Sequence, residues 1–326
     1  MNARCGQTIV VGVVVVFGIY VSKPAAAQVE LVKTTVSYRQ VDGHDILADV
    51  FRPPGDDVLP VIVWIHGGAL IMGHREGIHS QVRALVEEKG YALVSIDYRL
   101  APETKLPELI SDVEAAFDWL GGEGARQFHL DSDRIVVVGG SAGGYLTLVT
   151  GYRAQPKPKA LVALYGYGNL VADWYTKPSP HPRHNAEKVT REEADKQTDG
   201  TVISDARQRK GDGNWIYLYY RQNGNWPEEV SGFNRGTMRE QISPYEPARN
   251  VTADFPPTLL LHGTKDTDVP FEESALMAEQ LEKHKVPFRL LPIEGGEHGF
   301  GGGDPERIAE AYRTMREFIV KHLEVE

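Results

Sequence analysis

Arg134-Ile-Val-Val-Val138-Gly139-Gly140-Ser141-Ala142-Gly143-Gly144 is the stretch whose reading decides the fold. Four β-branched residues in a row suit a strand buried on both faces. The glycines then force a turn, and Ala142–Ala154 carries the apolar spacing of a helix. A serine between such a strand and helix fits G-x-S-x-G, where it is held on a sharp, strained turn with its hydroxyl exposed. Side chains at the flanking positions would collide with neighbouring backbone, hence the glycines. The pattern alone is weak; the strand before it and the helix after it carry the reading. Ser141 is therefore the candidate nucleophile.

Outward from this turn, short apolar runs alternate with amphipathic ones. Strands are expected at Leu31–Tyr38, Ile46–Phe51, Val61–Ile65, Ala92–Ile96, Arg134–Val138, Ala160–Leu164, Thr258–Leu261 and Phe288–Pro292. Helices are expected at Ser80–Lys89, Leu106–Leu120, Ala142–Ala154, Glu273–His284 and Pro305–Leu323. The alternation implies an α/β fold: a mainly parallel eight-stranded sheet with helices on both faces. From about residue 169 to 254 the pattern breaks, in a polar, Gly- and Pro-punctuated stretch rich in Trp and Tyr. A structureless loop of that length is improbable inside a compact domain, so a cap-like insertion after the sixth strand is expected there. Two uses are open for its aromatics: a small core of its own, or exposed rings that stack on a sugar.

A serine needs a base. Downstream, Leu259-Leu-Leu-His262-Gly-Thr-Lys-Asp266-Thr-Asp268 sets two carboxylates after a buried strand, and Glu294-Gly-Gly-Glu-His298-Gly sets a histidine in a glycine-rich loop. The order nucleophile, acid, histidine is the one that a serine in this strand–turn–helix setting uses. His298 is the candidate base and Asp266 the acid that fixes its tautomer. Asp268 is the less favoured acid, read as a turn residue. His262 ends a strand and reads as structural, while His181 and His184 lie in the insertion and are expected at the surface. Upstream, Val61-Ile-Val-Trp-Ile65-His66-Gly67-Gly68-Ala69 resembles the loop that aims amides at a developing oxyanion. The donors would be Gly68, Ala69 and Ala142.

The 326 residues suffice for one large domain, and a net charge of −10 argues against nucleic-acid or anionic-membrane partners. The apolar run Ile9–Val21, preceded by Arg4 and followed by Ala25-Ala26-Ala27, has the layout of a cleaved signal over 1–27. The lone Cys5 falls inside it, so a mature chain would hold neither a disulfide nor a thiolate metal site. A secreted or periplasmic protein is expected, with no metal and no organic cofactor; its oligomeric state is open.

Together these motifs, with Asp97-Tyr-Arg-Leu-Ala-Pro-Glu103 and Asp131-Ser-Asp-Arg134, resemble the α/β-hydrolase-fold carboxylesterases of the hormone-sensitive-lipase-like group and the related bacterial acetyl- and feruloyl-esterases. The resemblance runs from about Ser37 to the C-terminus. It implies a serine esterase that cleaves small carboxylic esters through an acyl-enzyme, with acetylated or feruloylated saccharides as one substrate class. The chain departs from the group at Ala69, where a third glycine is usual, at Gly140, where an acid is usual, and in placing its insertion after Leu164 rather than at the N-terminus. A prolyl-oligopeptidase-type peptidase is the alternative, although the chain has no room for a propeller. A binding protein on a decayed scaffold is the other, although no motif has eroded.

Overall fold

The computed structural model describes residues 29–324; the expected signal segment lies outside them. The described residues form one eight-stranded sheet: β1 (Val32–Val41), β2 (His44–Arg52), β3 (Leu59–Ile65), β4 (Ala92–Ile96), β5 (Leu130–Gly140), β6 (Ala160–Leu164), β7 (Thr258–Gly263) and β8 (Phe288–Ile293). Their spatial order is β1-β2-β4-β3-β5-β6-β7-β8. β2 runs antiparallel to β1 and β4, and the remaining pairs are parallel. This is the sheet that the alternating pattern required.

Burial on both faces explains the unbroken apolar strands. Along β3, Val61, Val63 and Ile65 point into one core, while Ile62 and Trp64 point into the other. β5 divides in the same way, with Ile135 and Val137 opposite Val136 and Val138. Helices Leu106–Gly121 and Ala142–Arg153 cover the first face, and Ser80–Lys89 and Pro305–Leu323 cover the second. In the last helix the buried residues are Ala311, Met315, Ile319 and Leu323, a four-residue spacing that presents one stripe to the sheet. No helix among the described residues is long and apolar enough to cross a membrane. β5 begins at Leu130 rather than Arg134 because Leu130 pairs with Leu59 before a register shift, while Asp131 turns back to accept from Arg134 Nε at 2.7 Å.

Between β6 and β7 the chain forms helices, the longest Asn214–Asn223, and no strand. Most of its aromatics are inside. Trp226 is fully buried and stacks on Tyr175 at 4.0 Å, and Arg221 lies over the rings of Trp174, Tyr175 and Tyr217. Trp215, at 37% exposed, is the clear exception. The expectation of a surface His184 is also overturned. Its two nitrogens meet Ser179 Oγ at 2.7 Å and Asp268 Oδ1 at 2.8 Å, and such a doubly satisfied imidazole can be buried.

Candidate active site

The C-terminal ends of β3, β5, β7 and β8 converge on one cavity, as ligand sites do in open α/β sheets. Its volume is about 390 Å³, and Gly68, Ala69, Ser141, Asp268 and His298 are among its lining residues. Clefts of about 540 and 520 Å³ elsewhere contain none of these groups.

Ser141 follows β5 and caps helix Ala142–Arg153 at φ 56°, ψ −122°, a conformation that non-glycine residues rarely adopt. Close packing enforces it. A Cβ on Gly139 would lie 2.2 Å from Gly143 O, and one on Gly143 would lie 2.0 Å from Ile65 O. The turn is fixed further by Ser141 N donating to Leu164 O at 2.9 Å. Ala142, as the first residue of the helix, has an amide without an acceptor in that helix.

The His66–Ala69 loop lies directly against this turn: a Cβ on Gly67 would meet Gly140 O at 2.7 Å. Gly68, Ala69 and Leu70 all have positive φ (111°, 56° and 63°). Gly68 O accepts from Ile71 N and Met72 N, which draws that carbonyl into the turn. Among the described residues, the Gly68 and Ala69 amides donate to no backbone carbonyl. Two contacts hold the loop from behind. Tyr98 stacks on His66 at 4.3 Å and donates its hydroxyl to His66 O at 3.0 Å, and Trp226 Nε1 donates to Ala69 O at 3.1 Å.

His298 stands in a one-turn helix after β8, with Nδ1 2.7 Å from Asp266 Oδ2. Asp266 Oδ1 accepts the amides of Asp268 and Val269 at 2.8 and 2.9 Å. Burial opposes ionisation of Asp266, but hydrogen bonds from His262 and His298 outweigh it and bring its carboxyl down to about 2. His262 itself is held by Ser274 Oγ and Val269 O, which keeps the acid loop in shape. Ser141 and His298 share the cavity wall without a hydrogen bond between them. Such a group can supply a nucleophile and a base with a fixed tautomer, beside a loop whose Gly68 and Ala69 amides are not taken up by backbone carbonyls.

Every expected site residue therefore lies at this cavity or directly behind it. Three further residues take parts that the sequence does not assign to them, one of them, Asp268, expected there as the less favoured acid. Asp268 reads in the sequence as a turn residue, yet its carboxylate lies 3.7 Å from His298 Nε2 and is held by the insertion. Trp226 leaves no sequence signal for its bond to Ala69. Tyr98 stands in a recognisable motif, but nothing local indicates its partner.

Residues 48–281 match the profile of the BD-FAE family. Among curated proteins, the non-reducing polyketide synthase Preu3 of Preussia isomera is 27% identical over 82% of this chain; the chain spans 12% of that protein's length. Among solved structures, a Staphylococcus aureus protein of unknown function is 25% identical, with a TM-score of 0.70, covering 90% of this chain and 99% of its own. Esterase 2 of Thermogutta terrifontis, phosphoramylated by tabun, is 22% identical with a TM-score of 0.62, covering 90% and 97%, and speaks to the fold.

Proposed function

The chain belongs to the BD-FAE family and has the α/β-hydrolase fold, and we propose that it is a carboxylic ester hydrolase that cleaves small esters through an acyl-enzyme on Ser141. The observation that carries this reading is the strained Ser141 turn sharing a cavity with an imidazole already tied to a buried, ionised Asp266.

In this reading His298 Nε2 takes the Ser141 proton as Oγ attacks the ester carbonyl. The carbonyl oxygen becomes an oxyanion that the amides of Gly68, Ala69 and Ala142 would stabilise. Asp266 holds Nδ1–H and stabilises the imidazolium that forms. The proton then passes to the departing alcohol, and water repeats the sequence on the acyl-enzyme. Acetylated or feruloylated saccharides are one candidate class.

The test is a set of p-nitrophenyl esters of two to twelve carbons with wild type and Ser141→Ala. Burst release of p-nitrophenol followed by a slower steady rate is expected from wild type alone. Equal rates in both proteins would remove Ser141 from the reaction.

A further inference from the structure

One wall of the cavity is not used by Ser141, His298 and Asp266. Asp268 lies there, 9% exposed, with its two carboxylate oxygens in different surroundings. Oδ1 accepts from His184 Nε2 at 2.8 Å, from Arg221 Nη1 at 3.1 Å and from the Tyr217 hydroxyl, all buried groups of the insertion. Among the described residues, Oδ2 receives no hydrogen bond. The nitrogens beside it are His298 Nε2 at 3.7 Å and Arg183 Nη2 at 3.6 Å, both beyond bonding distance. It is an acceptor locked in place through its sister oxygen and left open.

The position of that oxygen matters because Nε2 is the atom that hands its proton to the departing alcohol. The ester oxygen must come within about 3 Å of Nε2 for that transfer, which brings it beside Oδ2. A hydroxyl on the next carbon of the alcohol can then donate to Oδ2 at a usual distance of about 2.7 Å. A plain alkyl group in the same place would strip water from the carboxylate and give it no partner.

We propose that Asp268 is a specificity-determining residue for the leaving alcohol, favouring monoesters of vicinal diols and polyols over esters of simple alkyl alcohols. The proposal rests on the esterase reading above and adds to it the class of alcohol.

The experiment compares kcat/KM for three butyrate esters, each divided by its rate constant with hydroxide. 2-Hydroxyethyl butyrate carries the donor, propyl butyrate is its isostere, and 2-methoxyethyl butyrate keeps the electron-withdrawing oxygen without the donor. Wild type is expected to favour the hydroxyethyl ester about tenfold over both others, as a charge-assisted hydrogen bond formed at the transition state would give. In Asp268→Asn the preference should shrink to about twofold. Because the preference is a ratio within one preparation, the folded fraction does not affect it. Three equal constants in wild type would overturn the proposal, as would an Asp268→Asn that slows all three esters alike, which would place Asp268 in the service of His298. Should that variant not fold, Arg183→Ala serves: a retained or larger preference supports Oδ2 as the acceptor, and its collapse assigns the hydroxyl to Arg183 instead. If no butyrate or p-nitrophenyl ester is turned over by wild type, the esterase reading fails and not this one alone.

Discussion

Ser141, Asp266 and Gly67 show how little freedom single positions have here. Ser141→Ala is expected to lose at least about four orders of magnitude in kcat, since members of such a group act as a unit. Asp266→Asn keeps the shape but offers Nδ1 the wrong partner, and should lose about three to four orders, read as kcat on p-nitrophenyl butyrate. A residual rate within tenfold of wild type would mean that another carboxylate fixes the imidazole. Gly67→Ala places a methyl 2.7 Å from Gly140 O and 3.2 Å from Ser141 Cβ. A backbone carbonyl cannot swing aside, so the loop must shift, and a displacement of that order is expected to lower kcat by about a hundredfold. These residues are legible in the amino-acid sequence because each is tied to a local pattern: a strand, a turn that requires glycine, or a loop after a strand.

The elements are legible for the same reason, and their lateral contacts are not. β4 and β6 fall at Ala92–Ile96 and Ala160–Leu164, as their apolar runs imply, because a strand buried on both faces must be almost wholly apolar, and the one polar residue of β4, Ser95, donates to Arg75 O. The segment between β6 and β7 has no such period, since its helices are short and are held by single long-range contacts. Trp226 to Ala69 joins residues 157 apart and Arg209 to Glu103 joins residues 106 apart; no periodicity encodes either. The second pair yields a prediction. Glu103 and Arg209 are both 2% exposed at the side chain, and Arg209 also donates to Ala101 O. Glu103→Ala leaves a buried guanidinium without its counter-charge and should destabilise the protein by about 3–5 kcal/mol, measured by urea unfolding. A loss under about 1 kcal/mol would show that the carbonyls alone satisfy Arg209.

Across the whole molecule, buried carboxylates set opposing responses to pH. Burial pushes Glu273 up to about 7 and Asp97 up to about 6, despite hydrogen bonds to Glu273 from Trp174, Asn169 and Gly168 and the charge of Arg75 beside Asp97. Each folded-state value lies above the unfolded one, so folding holds protons that the unfolded chain has released. Their contribution to stability is present below about pH 4 and is lost as the pH rises to about 7. Asp266 has the opposite sign: its contribution is present above about pH 4 and is lost as the pH falls toward 2. The urea midpoint should therefore fall between pH 5 and 7, less steeply in Glu273→Gln than in wild type. Parallel curves would exclude Glu273 as the source. The anchoring of the insertion at Ala69 O, Glu103 and Asp268 has a further consequence, for the pace of turnover. Swinging it away would break several buried polar contacts at once, those to charged groups worth about 1.5–3 kcal/mol each. An open form would then be populated at less than about one molecule in a hundred. Substrate would enter a standing aperture and product would leave by it, so kcat should be insensitive to sucrose viscosity.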